Sequence, residues 1–233
     1  TVKTLILAIL IAAFVRSFWF EPFRIPSGSM YPTLQVGDFL FVSKYTYGYS
    51  RHSFPFSMIP FSGRFWYDEP KRGDIVVFKY PKDNRTDFIK RIIGLPGDKI
   101  KVEDGRLYIN DEMVERTKID DYVIFDDITN MGVYPQYEEV LPGGVKHRIL
   151  EIADNAALDN FDEVIVPADH FFVMGDNRDR SDDSRKNVGF VPKENLEGQA
   201  RVLFFSYGDN GDWYNPFSWG KKLRWDRMFS KIK

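Results

Sequence analysis

Two serines and a glycine, Ser27-Gly28-Ser29, sit between two prolines in the stretch FRIPSGSMYPT. A serine hydroxyl becomes a nucleophile only when a nearby base takes its proton. The chain has three histidines, His52, His147 and His170, widely separated. A Ser-His-Asp triad assembles across a fold, so the sequence leaves it open, but no G-x-S-x-G elbow supports it. Lysine is the other candidate base. At its ordinary pKa of ~10.4 it is charged and ineffective, and burial among apolar groups disfavours that charge. Lys90, in DFIKRIIGLPGDK, is flanked by Phe88, Ile89, Ile92 and Ile93. In a strand it points away from the faces of Ile89 and Arg91, so with Arg91 in water Lys90 faces the core. The competing reading of an inward lysine is a structural ion pair.

A third stretch, MGDNRDRSDDSRKNVGFVP, packs Asp176, Asn177, Arg178, Asp179, Ser181, Asp182, Asp183, Ser184 and Arg185 together. Any one of these reads as a polar turn residue bonding its own backbone. As a set between two hydrophobic segments, they can supply hydroxyls and ion pairs that hold a buried amine.

The elements that must position these residues are mostly short strands. Residues 38–45, 73–80 and 87–94 are β-branched and aromatic, and 98–111 alternates and turns at Asp104-Gly105, a hairpin signal. Residues 162–167, 170–176 and 199–207 continue the pattern. The expectation is a mainly β protein of many short strands, with an insertion or subdomain between two motif-bearing halves, preceded by an N-terminal transmembrane helix. The expected divisions are an anchor over 1–20, a core over 21–110 and 161–207, an insertion over 111–160, and a basic, aromatic tail over 208–233.

The anchor rests on TVKTLILAILIAAFVRSFWF, apolar without a break from Leu5 to Val15. A span needs about 20 residues, with Arg16 able to snorkel and Phe18, Trp19 and Phe20 at headgroup depth. The first residue is Thr, so the span is expected to start upstream of it. A cleavable signal peptide fits less well, because no small-x-small site follows the run. A buried core helix fits less well too, because the run is apolar all round. The aromatic loop over 52–68 either lies on lipid or caps the sheet. The tail over 218–233 mixes Lys and Arg with Trp and Phe and reads as a membrane-surface helix.

Composition narrows the classes. The chain has 233 residues and a formal charge of −2, without the basic surplus of a nucleic-acid binder. It has no cysteine, which excludes disulfides, thiolate chemistry and Cys-based zinc sites. No histidine pair has metal-ligand spacing, so neither a metal nor a cofactor is expected.

PSGSMYPTL, then FIKRIIGLPGD, then GDNRDRSDDSR followed by GFVP, together with VGDFLFVSKYTYG and RGDIVVFKYP, resemble the bacterial type I signal peptidases. The resemblance covers most of the chain outside the insertion. It implies a mainly β fold, an antiparallel β-rich catalytic core with an inserted β-rich subdomain, and a membrane-anchored serine endopeptidase with a serine–lysine dyad. Such an enzyme sits in the cytoplasmic (inner) membrane, with its catalytic part on the extracytoplasmic side, and removes signal peptides from preproteins after Ala-x-Ala-type sites. By position it implies Ser29 as nucleophile, Lys90 as general base, and Ser27 with the Ser29 N–H as oxyanion hole. Ser181 would orient the Lys90 amine, Asp183 and Arg185 would form a supporting ion pair, and Asp176 would hold the loop. The pocket walls would include Phe23, Ile25, Pro26, Met30, Leu34, Phe88 and Ile89. The implied partners are preproteins and membrane lipid, with no nucleic acid, and the protein is expected to be a monomer. Tyr31 departs from the family's usual small or apolar residue after Met30, and Arg180 should turn outward. Two other classes compete: a specialised serine–lysine peptidase such as a self-cleaving repressor, and a non-catalytic membrane-tethered adaptor. The anchor and the lack of a DNA-binding domain oppose the first. The joint presence of Ser29, Lys90 and Ser181 opposes the second.

Overall fold

The computed structural model describes residues 2–54, 61–127, 130–153, 156–208 and 219–232. Helix α1 (Val2–Phe18) leads into strand β1 (Phe20–Arg24). At 1.5 Å per residue, 17 residues reach about 26 Å, against ~30 Å for the hydrocarbon core of a bilayer. The helix expected at the N-terminus is therefore present. Among the described residues, however, no helix is long and apolar enough to cross a membrane.

The rest is mainly antiparallel β. One large sheet orders β1, β2 (Asp38–Ser43), β16 (Leu196–Ser206), β3 (Ile75–Lys79), β4 (Asp87–Gly94), β14 (His170–Met174) and β15 (Val191–Pro192), with β17 (Ser230–Lys231) added to β16. A four-stranded sheet orders β13 (Phe161–Ile165), β5 (Lys99–Glu103), β6 (Arg106–Ile109) and β7 (Glu112–Met113). A three-stranded sheet orders β12 (Val145–Leu150), β11 (Gln136–Leu141) and β8 (Glu115–Lys118), and β9 (Tyr122–Asp127) pairs β10 (Asn130–Tyr134). The Asp104-Gly105 turn joins β5 to β6 with both residues at positive φ, 48° and 70°, as a two-residue hairpin of this hand requires.

Three apolar clusters fill the interior. Ile25, Met30, Leu34, Leu40, Val42, Ile75, Val77 and Ala200 form the one beneath the first serine segment. Ile92, Val76, Phe78, Phe171 and Val173 pack between the central strands, and Ile93, Ile100, Leu107 and Phe172 join the large sheet to the four-stranded one. Strand β4 thus runs through the middle of the molecule, which is what buries both of its faces.

The C-terminal segment is not the single surface helix its composition suggests. It forms a four-residue helix, α2 (Trp219–Lys222), a short turn over Trp225–Arg227, and β17. Its arginines are drawn inward by Asp38. Arg227 Nη2 lies 2.6 Å from Asp38 Oδ2, and Arg224 Nη2 lies 3.3 Å from Asp38 Oδ1. In the aromatic loop, Phe65 and Trp66 are exposed, and the part of the loop over 55–60 lies outside the described residues.

Candidate active site

Ser29 sits in a single helical turn, Gly28–Met30, that follows β1 and is capped by extended Ser27. The side chain of Met30 is fully buried and anchors the turn in the apolar cluster. Asn177 fixes the turn from the other side: its N–H donates to the carbonyl of Ser29 (3.1 Å) and its Nδ2 to the carbonyl of Gly28 (3.0 Å). Gly175 makes the approach possible. A Cβ there would lie 2.5 Å from the Ser29 carbonyl oxygen and 2.3 Å from Ser181 Oγ, closer than real contacts allow.

Lys90 lies in β4, opposite Val76 of β3, and is 3% exposed. Its Nζ donates to Ser29 Oγ at 2.8 Å and to the Ile89 carbonyl at 2.9 Å. Burial lowers its pKa from 10.5 to about 8, against the opposing pull of Asp183, Asp182 and Asp176. About a tenth of the amine is therefore neutral at pH 7, far more than in an exposed lysine.

The neighbouring Arg91 does not face water, as the alternation argument supposed. It is fully buried, because Asp176 gives it a partner on the other side of the strand. Arg91 Nε and Nη2 donate to the two Asp176 oxygens at 2.8 and 2.7 Å, and Nη1 donates to the Gly73 carbonyl. Burial alone would raise the Asp176 pKa. The Arg91 guanidinium and the Thr33 hydroxyl hold it below the carboxylate range.

Asp183 and Arg185 form the expected buried ion pair, at 2.9 Å. Burial pushes Asp183 up, and Arg185 and the Gly175 N–H outweigh it. Arg185 also donates to the Arg178 carbonyl, which ties the whole loop together. Ser181 is buried beside Gly175; its Oγ makes no well-formed hydrogen bond to Lys90, and its hydroxyl lies toward Asp183, whose pKa it helps to lower. Arg180 is exposed and lies over the Tyr134 ring at 5.2 Å, turned outward as expected.

A cleft of about 530 Å³ opens over Ser29 and Lys90. Pro26, Ser27, Phe88 and Ile89 line it, with Tyr31 and Ile124. Ile25, Met30 and Leu34 do not reach the cleft. They belong to a buried apolar cluster, with Phe23 packed against it, and none of the four lines the cleft. A larger cavity of about 690 Å³ lies at the foot of α1, among Arg16, Glu21, Lys44, Lys79 and Glu197, and contains neither Ser29 nor Lys90.

None of the histidines partners the serine. His52 lines that second cavity, His147 sits 3.3 Å from Glu139, and His170 Nδ1 lies 2.8 Å from the Ala168 carbonyl. Sequence reasoning passed over Asn177, Thr33 and Arg91 as site residues. Only the run of Asp, Asn and Arg in the loop hinted at Asn177, and nothing local to Thr33 or Arg91 distinguishes them.

An antiparallel β protein that sets a serine hydroxyl against a buried, partly neutral lysine amine, above an apolar cleft, has the makings of a serine hydrolase. The comparisons with known proteins narrow that class. Residues 1–205 match the family described as signal peptidase, peptidase S26. The chain is 45% identical over 206 residues to the signal peptidase I of Rickettsia typhi, covering 85% of this chain and 76% of that protein. It is 40% identical over 242 residues to that of Rickettsia akari, covering 96% and 89%. A crystal structure of a signal peptidase I from Enterococcus faecalis aligns at 26% identity, covering 57% of this chain and 97% of that one, with a TM-score of 0.34, too low to carry an argument. The chain belongs to the signal peptidase family, peptidase S26. It is a serine peptidase, and it removes signal peptides.

Proposed function

We propose that Ser29 and Lys90 are the catalytic dyad and that the enzyme cuts preproteins after Ala-x-Ala-type sites. The single observation that carries this reading is the 2.8 Å hydrogen bond between Lys90 Nζ and Ser29 Oγ, with Lys90 lowered to about 8. Neutral Lys90 takes the Ser29 proton as Oγ attacks the scissile carbonyl. The resulting ammonium then protonates the leaving amine, and an acyl ester remains on Ser29. Lys90, neutral again, takes a proton from water as the water's oxygen attacks the ester; the Lys90 ammonium then returns that proton to Ser29 Oγ as the ester C–O bond breaks, which frees the signal peptide and restores the enzyme.

The oxyanion is met by the Ser29 N–H and the Ser27 hydroxyl. At the start of so short a turn an N–H has no partner within the turn, and Ser27 makes no side-chain capping bond. One such donor is worth about 10²–10³ in rate. Ser181, buried in the same loop as Asp183, orients the Lys90 amine. Pro26, Phe88 and Ile89 give shallow apolar walls suited to small side chains. The core over 21–110 and 161–207 carries all of these groups, with 111–160 inserted between its halves.

The enzyme works at a membrane surface, the extracytoplasmic face of a bacterial inner membrane. Along α1, Leu5, Ile6, Leu7, Ile9, Leu10, Ile11 and Phe14 are all more than half exposed, an apolar surface that suits lipid and not water. A substrate tethered in the same bilayer gains effective concentration at Ser29.

The test is the pH profile of cleavage. With a pKa of about 8, roughly a tenth of Lys90 is neutral at pH 7, so kcat/KM should rise about tenfold by pH 9 to 10 and level off. A flat profile from pH 6 to 10 removes Lys90 as the base.

A further inference from the structure

Away from Ser29, three acidic side chains converge behind the loop that carries Ser181. Glu151 follows β12, Asp159 precedes β13, and Asp179 lies in the turn Arg178–Arg180. One oxygen from each lies within 4.8 Å of the other two. Glu151 and Asp159 are 3% and 0% exposed.

What separates this cluster from an ordinary acidic turn is how its oxygens are used. Glu151 Oε2 faces Arg116 Nη1 at 3.5 Å. Asp159 Oδ2 accepts the Ala156 N–H at 2.6 Å, and Asp179 Oδ2 accepts the N–H groups of Ile152 (2.5 Å) and Ala153 (3.2 Å). The other oxygen of each carboxylate, Glu151 Oε1, Asp159 Oδ1 and Asp179 Oδ1, is buried and meets no N–H donor among the described residues. Each side chain is thus fixed by one oxygen, and the Asp159 carboxyl lies near enough to Glu151 and Asp179 to share a proton with them. Buried acceptors left in this way are costly unless something with positive charge meets them.

We propose that Glu151, Asp159 and Asp179 bind a hard divalent cation of the Ca²⁺ type. The donor set is all oxygen, with no nitrogen or sulfur, which suits Ca²⁺ over zinc or copper. Two oxygens each 2.3–2.6 Å from one ion are at most about 5 Å apart, so three oxygens within 4.8 Å can share an ion. A negative excess remains as well. Three carboxylates face one paired cation, Arg116, and Arg178, bound to Glu139, only partly offsets the charge of Glu151. Gly105, at φ +70°, leaves room on the hairpin side: a Cβ there would stand 3.3 Å from Glu151 Oε1.

Without a cation, only a proton can relieve the repulsion. Burial pushes Glu151 up to about 9, with Asp179 and Asp159 adding to it and Arg178 and Arg116 opposing. Cation binding would therefore displace a proton. The ion would join the β5–β6 turn, the segment after β12 and the turn that leads to Ser181. It would stiffen the catalytic loop without entering the chemistry. Histidine and cysteine spacing gave no hint of it, because acids at 151, 159 and 179 form no sequence motif.

The test uses the full chain in detergent at pH 7.5 after EDTA treatment. Ca²⁺ is titrated by calorimetry. Tb³⁺ luminescence is read through Tyr137, whose ring lies 4.5 Å from the Arg116 guanidinium. The expected result is one Ca²⁺ per chain with Kd between about 10 µM and 1 mM, displacement of Tb³⁺ by Ca²⁺, and a Tm raised by several degrees. Glu151→Gln should weaken binding at least tenfold. Absence of saturable binding by the unaltered protein overturns the proposal and leaves a shared proton as the occupant, whatever the variants do. Unchanged Ca²⁺ affinity in both Glu151→Gln and Asp159→Asn, each folded by circular dichroism, overturns it equally.

Discussion

Replacing Lys90 by Met should inactivate the enzyme and stabilise its fold at neutral pH. The amine is buried, and its pKa falls from 10.5 to about 8 on folding. A group whose charged form is disfavoured in the folded state destabilises that state at any pH where the unfolded chain is protonated. Below pH 8 the full shift applies, about 3 kcal/mol at ~1.36 kcal/mol per pKa unit. The cost fades as pH rises from 8 to 10.5, so the wild type gains stability over that window. Methionine keeps the bulk and removes the charge. It also loses the bonds to Ser29 Oγ and the Ile89 carbonyl, worth about 1 kcal/mol each. The net gain at pH 7 is therefore about 1–2 kcal/mol. Comparison across pH isolates the titration, because the lost bonds and changed packing contribute nearly equally at each pH. Denaturant unfolding of both proteins at pH 7 and pH 10 should show the variant's advantage shrinking by about 2–3 kcal/mol. An advantage independent of pH, or a variant less stable at pH 7 by the same amount as at pH 10, would refute the claim that burial depresses this lysine.

Other perturbations probe the supports. Ser29→Ala should abolish cleavage while changing stability by less than about 1 kcal/mol, read by activity and thermal melting together. Ser181→Ala should lower kcat with little change in KM or Tm, since Asp183 keeps Arg185 and the Gly175 N–H as partners; an unaltered kcat would remove Ser181 from the mechanism. Asp176→Asn should destabilise by about 3–5 kcal/mol, because it removes the charge that balances the fully buried Arg91, and denaturant midpoints measure this directly.

How much of this could be read in the sequence differs by element. The strands were legible because β-branched and aromatic runs are bounded by Gly, Pro and Asp, and β4 coincides with residues 87–94. The Asp104-Gly105 turn was legible because its two positive-φ positions call for those residue types. The serine, the lysine and the acidic loop stood out as unusual residues in apolar settings. Their meeting, 61 positions apart for Ser29 and Lys90, did not, because strand order is set by packing across the whole sheet. Alternation also failed at Arg91. It assumes one wet face, and β4 is central and buried on both. The tail differs from a single surface helix for a related reason. Its composition gives no sign that a single buried carboxylate, Asp38, draws Arg224 and Arg227 into the protein beside the serine segment.

The most direct test of the central claim is cleavage of a preprotein whose signal ends in Ala-x-Ala, in detergent micelles, by wild type and Lys90→Met side by side. The account predicts clean cleavage after the final Ala by the wild type and none by the variant, even though the variant is folded and more stable at pH 7. Cleavage by both would contradict it and return the role of base to one of the histidines.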